Sequence, residues 1–162
     1  MMNDDQPMKI TYHPITEDDL EFLYEVYAST REAELTAVDW SHQEKENFLR
    51  MQFDLQHKQW IQFYDQAAFE IILIDGNPAG RLYVDRREKE IRIIDIALLT
   101  EFRRQGIGSR IMKALIAEAD QVNLPLSLHV EMYNPAMGLY QKLGFKKIQE
   151  VGVYFLMEKH PA

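Results

Sequence analysis

Arg103, Arg104, Gln105, Gly106, Ile107 and Gly108 stand together as "RRQGIG" between a very apolar run, "IRIIDIALL", and a helical-looking run, "SRIMKALIAEAD". A helix that starts here presents unpaired backbone N–H groups and a partial positive charge. Glycines let a bound group come close to the backbone, and arginines add charge. The segment is therefore chemically an anion site, most naturally for a phosphate. Two familiar phosphate loops do not fit it. A P-loop requires Gly-Lys followed by Ser or Thr, and the sequence has no Gly-Lys pair. A dinucleotide fingerprint requires G-x-G-x-x-G, and Ile111 occupies the third glycine position. What remains is R-x-x-G-x-G, carried by Arg103, Gly106 and Gly108.

The elements that must position this turn follow from hydrophobic period. Lys9 to Pro14 alternates and reads as a first strand. Thr16 with Asp19, and Ser41 with Glu44, are capping-box signals that open two helices. The first carries Leu20, Leu23, Val26 and Tyr27; the second runs to about Trp60, with Phe48, Leu49, Phe53 and Trp60 on one side. "FEIILI" and "AGRLYVD" form a hairpin around "DGNP", in which Gly76 and Asn77 tolerate positive φ. "EIRIIDIALL" has the apolar continuity of a central strand buried on both faces. The helix after the turn spans about Gly106 to Val122, with Ile107, Ile111, Leu115 and Ile116 as its stripe. "LPLSLHV" is a strand. "NPAMGLYQKLGF" is a helix with Asn134 as N-cap, Pro135 at its first position and Gly144 just past its end. "KKIQEVG" and "VYFLMEK" close the chain as a hairpin around Gly152. The order β α α β β β α β α β β reads as a mixed sheet with helices on both faces, in the α/β or α+β class.

Composition bounds the function. The 162 residues match one domain, and 46% hydrophobic residues supply a core. The absence of cysteine excludes disulfides, zinc–thiolate sites and thiol nucleophiles. A formal net charge of −8 argues against a nucleic-acid partner and suits a cationic one such as an amine. No apolar run approaches the roughly 20 residues that cross a bilayer, so no membrane partner is expected. "MMNDDQPMK" lacks the pattern of a signal peptide. Residues 1–8 are expected to be a short flexible leader, residues 9–160 a single domain, and the location cytoplasmic.

The R-x-x-G-x-G turn and the downstream "NPAMGLYQKLGF", in this order and spacing, resemble the two signatures of the GNAT superfamily of acyl-CoA-dependent N-acetyltransferases. The element order is similar to that family over about Lys9 to Lys159. The resemblance implies a mixed, mainly antiparallel sheet of about six to seven strands with splayed central strands, and acetyl-CoA as acyl donor, with no metal. In such proteins the strand before the loop pairs its backbone with the pantetheine arm, which here points to Ile96, Ala97 and Leu98. Arg103, Arg104, Gln105, Gly106, Ile107, Gly108 and Ser109 would surround the pyrophosphate. Asn134 would hydrogen-bond the pantetheine, Ala136 would lie beside it, and Lys142 would approach a phosphate. Tyr140 matches the tyrosine near the thioester sulfur and would act as general acid.

The implied reaction is direct attack of an amine on the acetyl thioester, with the backbone N–H near Leu98 polarising the carbonyl. A general base must take the ammonium proton. Asp95, beside the pantetheine segment, is one candidate, and Glu32 and Glu34 are others; Arg92 stands where some relatives carry a catalytic glutamate. Acceptor choice in this superfamily falls to the first two helices and their connection, here "STREAELTAVDW", and Glu32, Gln52 and Gln56, with His57, are the pocket candidates. The acceptor is a small-molecule or peptide amine. A non-catalytic coenzyme A-binding or sensor domain with the same fold is the alternative. A third reading, a purely structural interaction domain without coenzyme A affinity, would show an exposed edge strand, for which the C-terminal "GVYFLMEK" is the candidate to pair with a second subunit, and a homodimer is a further expectation.

Overall fold

The computed structural model describes residues 8–162. The leader expected at residues 1–8 lies, but for Met8, outside the described residues. In chain order the elements are β1 (Ile10–Pro14), α1 (Leu20–Thr36), α2 (His42–Phe63), β2 (Ala68–Ile74), β3 (Asn77–Arg86), β4 (Ile91–Leu98), α3 (Ile107–Gln121), β5 (Leu126–Glu131), α4 (Met137–Lys142), β6 (Lys146–Val151) and β7 (Tyr154–Lys159). The strands form one seven-stranded sheet in the order β1-β2-β3-β4-β5-β7-β6. β1–β2, β5–β7 and β6–β7 are antiparallel, and β4–β5 is parallel. This is the mixed, mainly antiparallel sheet expected. Among the described residues no helix is long and apolar enough to cross a membrane.

The chain divides into two compact units, and β3 and β4 each contribute to both. Of the described residues the first holds 8–65, 69–82 and 97–101. In it α1 buries Leu23, Tyr24, Val26 and Tyr27, and α2 buries Leu49 and Phe53. The Phe53 ring meets those of Tyr24 and Tyr27, each at a centroid distance of 5.9 Å. Arg50 spans the two helices: its guanidinium donates to both Glu21 oxygens, at 3.1 and 2.8 Å, and covers the Tyr24 ring at 4.0 Å.

Both N-terminal boxes form. Asp19 accepts from the Thr16 N–H at 2.8 Å, opening a short 3-10 turn that leads into α1. Glu44 N–H donates to Ser41 Oγ at 3.1 Å while Ser41 N–H donates to Glu44 at 3.4 Å.

Two expectations are corrected here. α1 continues to Thr36, so the inter-helix connection shrinks to residues 37–41, and Glu32 and Glu34 are helical. Good helix formers and an i,i+3 pair between Arg31 and Glu34 at 3.1 Å carry the helix through. In the β2–β3 turn the positive-φ residues are Asp75 (51°) and Gly76 (82°), while Asn77 already begins β3. Two left-handed central residues give the twist that a two-residue hairpin needs.

The second unit holds residues 66–68, 83–96 and 102–162. Its core joins Ile91 and Ile93 of β4, Leu126, Leu128 and Val130 of β5, Met157 of β7, and the α3 stripe of Ile107, Ile111, Met112, Leu115 and Ala119. β7 lies between β5 and β6, so "GVYFLMEK" is an interior strand rather than the edge expected. The edge is β6, all of whose side chains are exposed and whose pairing is interrupted between Lys147 and Gln149. The short hairpin at Gly152 (φ 62°) makes β6 and β7 neighbours, and the pairing of β7 with β5 leaves β6 outside, which sequence alternation alone does not decide.

Back in the first unit, Gly80 of β3 faces the end of β4. A Cβ there would collide with the Ala97 carbonyl and press on Leu98 Cα at 3.0 Å, while Leu99 N–H donates to Ala79 at 2.8 Å. Gly80→Ala is expected to destabilise by about 1–3 kcal/mol, since backbone cannot swing aside as a side chain can. Gly138→Ala, where an added Cβ meets nothing within 4 Å, is expected to be neutral or stabilising. Thermal unfolding of both variants checks this; equal midpoints would refute the close approach.

Candidate active site

The turn between β4 and α3 adopts two left-handed residues, Arg104 (φ 60°) and Gly106 (φ 77°). Gly106 ends the turn as the N-cap of α3, with no side chain capping the helix. The first helical bond runs from Arg110 N–H to the Gly106 carbonyl at 3.0 Å. By helix geometry the N–H groups of Ile107, Gly108 and Ser109 precede that bond and point out of the helix end. No acidic residue occupies this first turn, and Arg103, Arg104 and Gln105 are exposed around it. A Cβ built on Gly108 meets nothing within 4 Å, so the space in front of the helix is open. The arrangement is electropositive, donor-rich and accessible, and a diphosphate fits it.

β4 leads into that turn. Its pairing with β5 covers Ile91–Ile93 against Leu126–Leu128, and among the described residues no further β4–β5 pairs follow. Arg92 ties the paired ends together: its Nε donates to Ser127 Oγ at 2.7 Å, and Nη2 meets Glu90 at 3.0 Å. Arg92 Nη1 also approaches His129 Nδ1 at 3.4 Å. Burial first, and the Arg92 charge next, push the His129 pKa down. Beyond the paired stretch β4 runs on through Ile96, Ala97 and Leu98, all half-buried.

α4 supplies the remaining candidates. Asn134 Oδ1 accepts from the Ala136 N–H at 2.8 Å, and its carbonyl accepts from Met137 N–H at 3.0 Å. The helix therefore starts at Met137, later than the Asn134 cap and Pro135 start expected, because Asn134 caps a preceding Asx turn instead. The C-terminal end is as expected. Gly144 is left-handed (φ 104°), Gly144 N–H donates to Gln141 at 3.1 Å, and Phe145 N–H donates to Tyr140 at 3.0 Å. These two bonds make a Schellman motif, and its apolar contact is the Tyr140–Phe145 ring pair at 6.0 Å. Tyr140 is thus fixed in place by the end of its own helix.

Tyr140 is only 8% exposed. Burial, and secondarily the charge of Asp95, push its pKa up to about 12. The hydroxyl keeps its proton near neutrality and is available as a donor. The two residues expected to share the proton chemistry, Asp95 and Tyr140, therefore feel each other electrostatically. Lys142 is exposed in the last turn of α4, and Ala136 is half-buried.

The acceptor candidates lie in the first unit. Glu32 is exposed on α1. Gln52 is half-buried on α2, and Gln56 buries its Oε1 without a hydrogen-bond partner among the described residues. His57 stacks on Phe53 at 5.6 Å, and burial followed by the Arg81 charge pushes its pKa down. Arg81, buried in β3 with its guanidinium 5.3 Å from the Trp60 ring, was not foreseen. A strand arginine reads as a solvent-facing residue until a helix covers it. His129 was also missed, although its place in "LSLHV" signals an outward face.

Residues 20–145 match the acetyltransferase (GNAT) family. The chain is 32% identical over 77 residues to the N-acetyltransferase CgeE of Bacillus subtilis, covering 47% of this chain and 30% of that protein. It is 28% identical over 106 residues to an N-alpha-acetyltransferase of Sulfurisphaera tokodaii, covering 56% of this chain and 63% of the other. The matched regions thus span less than two thirds of either relative. Among solved structures, PaiA N-acetyltransferase of Thermoplasma acidophilum, in complex with coenzyme A, superposes with a TM-score of 0.68. That likeness covers 94% of this chain and 99% of the other at 22% identity, and it bears on the fold.

The raised Tyr140 pKa has a sign that can be measured. The unfolded side chain ionises at the ordinary 10.0, the folded one at about 12. The stability this adds is fully present below pH 10 and fades as the pH rises to 12, by about 2–3 kcal/mol. Urea unfolding from pH 9 to 12 is expected to show a steeper alkaline loss for the wild type than for Tyr140→Phe. Parallel losses would show that Tyr140 titrates normally.

Proposed function

Because the chain belongs to the GNAT acetyltransferase family, we propose that it transfers an acetyl group from acetyl-CoA to a primary amine by direct attack. The observation that carries this reading is the α3 N-terminus: left-handed Gly106, no side-chain cap, and open space at Gly108. Residues 103–109 hold the pyrophosphate, chiefly through backbone N–H groups. Ile96, Ala97 and Leu98 align the pantetheine arm by strand-like pairing, with Asn134 and Ala136 beside it and Lys142 toward a phosphate. Acetyl-CoA supplies the activated acyl group; the other steps belong to the chain.

The backbone N–H at Leu98 polarises the thioester carbonyl as the amine attacks. Asp95 takes the ammonium proton, directly or through water. Tyr140 gives its proton to the departing sulfur, a role supported by a hydroxyl that burial keeps protonated. The acceptor is a small-molecule or peptide amine, selected by the α1–α2 side of the chain through Glu32, Gln52 and Gln56. The site of action is the cytoplasm.

Calorimetric titration with acetyl-CoA tests the carrying observation. Wild type is expected to bind in the micromolar range, and Gly108→Glu, which sets an anion against the pyrophosphate, to bind about a hundredfold or more weakly. No binding by either protein would sink the reading. Tyr140→Phe is expected to bind acetyl-CoA normally and to lose about 10²–10⁴ in turnover of an accepted amine. Binding without turnover across a broad amine panel would leave a coenzyme A sensor instead.

A further inference from the structure

α2 has a second apolar face that its packing in the first unit does not use. Leu49 and Phe53 point into the core. On the opposite side of the helix, Phe48, Met51 and Leu55 follow one another at spacings of three and four residues and remain exposed, Met51 at 58% and Leu55 at 52%. Trp40, itself exposed, rests on Phe48 at 5.3 Å and widens one end of the stripe. Toward the other end the same row continues with Lys58 and Gln62, both exposed. Contiguous apolar surface at heptad-like spacing on a long helix is unusual for a face that meets only water.

We propose that this face pairs with the same face of a second copy of the chain, the two α2 helices running antiparallel. The pattern is complementary to itself in that direction. A two-fold axis between Met51 and Leu55 sets each Met51 against the second copy's Leu55. It also lays the aliphatic stem of the second copy's Lys58 over Phe48, with its ammonium within reach of Glu44 one turn away. Both Glu44 and Lys58 are exposed, and the symmetry makes this ion pair twice. A parallel pairing would instead set Lys58 on Lys58 and Glu44 on Glu44. The sheet edges are poorer dimer surfaces: β6 is bulged and carries Lys146 and Lys147, and β1 ends in Pro14.

Sedimentation equilibrium of the full chain at tens of micromolar tests the proposal. The expected mass is near twice the 19.1 kDa of one chain. Leu55→Arg, an exposed position away from the proposed acetyl-CoA residues, is expected to give a monomer with unchanged thermal midpoint and unchanged acetyl-CoA affinity. Lys58→Glu is expected to weaken dimerisation at least tenfold, and the double variant Glu44→Lys/Lys58→Glu to restore it. A monomeric wild type, a dimer that survives Leu55→Arg, or a double variant no better than Lys58→Glu would each overturn the antiparallel α2 pairing. None of these outcomes touches the acetyl-CoA titration, so the two readings fail separately.

Discussion

The extent of the β4–β5 pairing is the constraint on which the proposed coenzyme site depends. Apolar packing of Ile91 and Ile93 against Leu126 and Leu128, with Arg92 bonded to Ser127, holds the two parallel strands at their beginning. A parallel pair needs a crossover, and α3 supplies it, so the helix must start where β4 ends. The turn between them has to reverse direction within a few residues, which is why left-handed conformations appear at Arg104 and Gly106. A glycine N-cap offers no side-chain acceptor, and the helix end keeps its donors for something else. Backbone topology therefore leaves donors open at this helix end, beside two arginines, where the proposed reading puts the pyrophosphate.

Charge is distributed to match. The chain as a whole carries −8, yet the first turn of α3 has no acidic residue and is preceded by two arginines. A cofactor rich in phosphate would be repelled by the average surface and drawn to this local one. Near Tyr140 the balance is reversed. Burial and the Asp95 carboxylate both disfavour a tyrosinate, so the proton stays on the hydroxyl until a stronger base arises beside it.

Much of this was legible in the sequence because it rests on short-range rules. The R-x-x-G-x-G turn, both capping boxes, the α3 stripe and the Gly144 terminus each depend on residues within a few positions of one another. The misreadings have longer-range causes. α1 outlasts its expected end because nothing in "EAELT" breaks a helix and Ser41 caps only the next one. Asn134 can serve a helix or an Asx turn equally well, and the Ala136 N–H decides for the turn. That β7 is interior depends on its pairing with β5, more than twenty residues away, which no local pattern encodes. Gly80 was read only as part of a strand; its significance is the Ala97 carbonyl on the next strand.

Arg92 bears on the proton that must leave the attacking amine. A guanidinium does not give up its charge at any working pH, so this position cannot serve as the base that a glutamate there would be. Its neighbour His129 is a poor substitute on chemical grounds. Arginine only donates, so the contact at 3.4 Å makes His129 Nδ1 the acceptor and leaves the hydrogen on Nε2. The ring nitrogen that could take a proton is thus the one turned toward a cation. Within the proposed transfer, the strand's remaining proton acceptor is Asp95, on the residue parity opposite to Arg92 and close enough to Tyr140 for its charge to be felt there. In that proposal the carboxylate helps keep the Tyr140 hydroxyl protonated before attack; once it has taken the ammonium proton it is neutral, and giving up the tyrosine proton to the sulfur becomes easier.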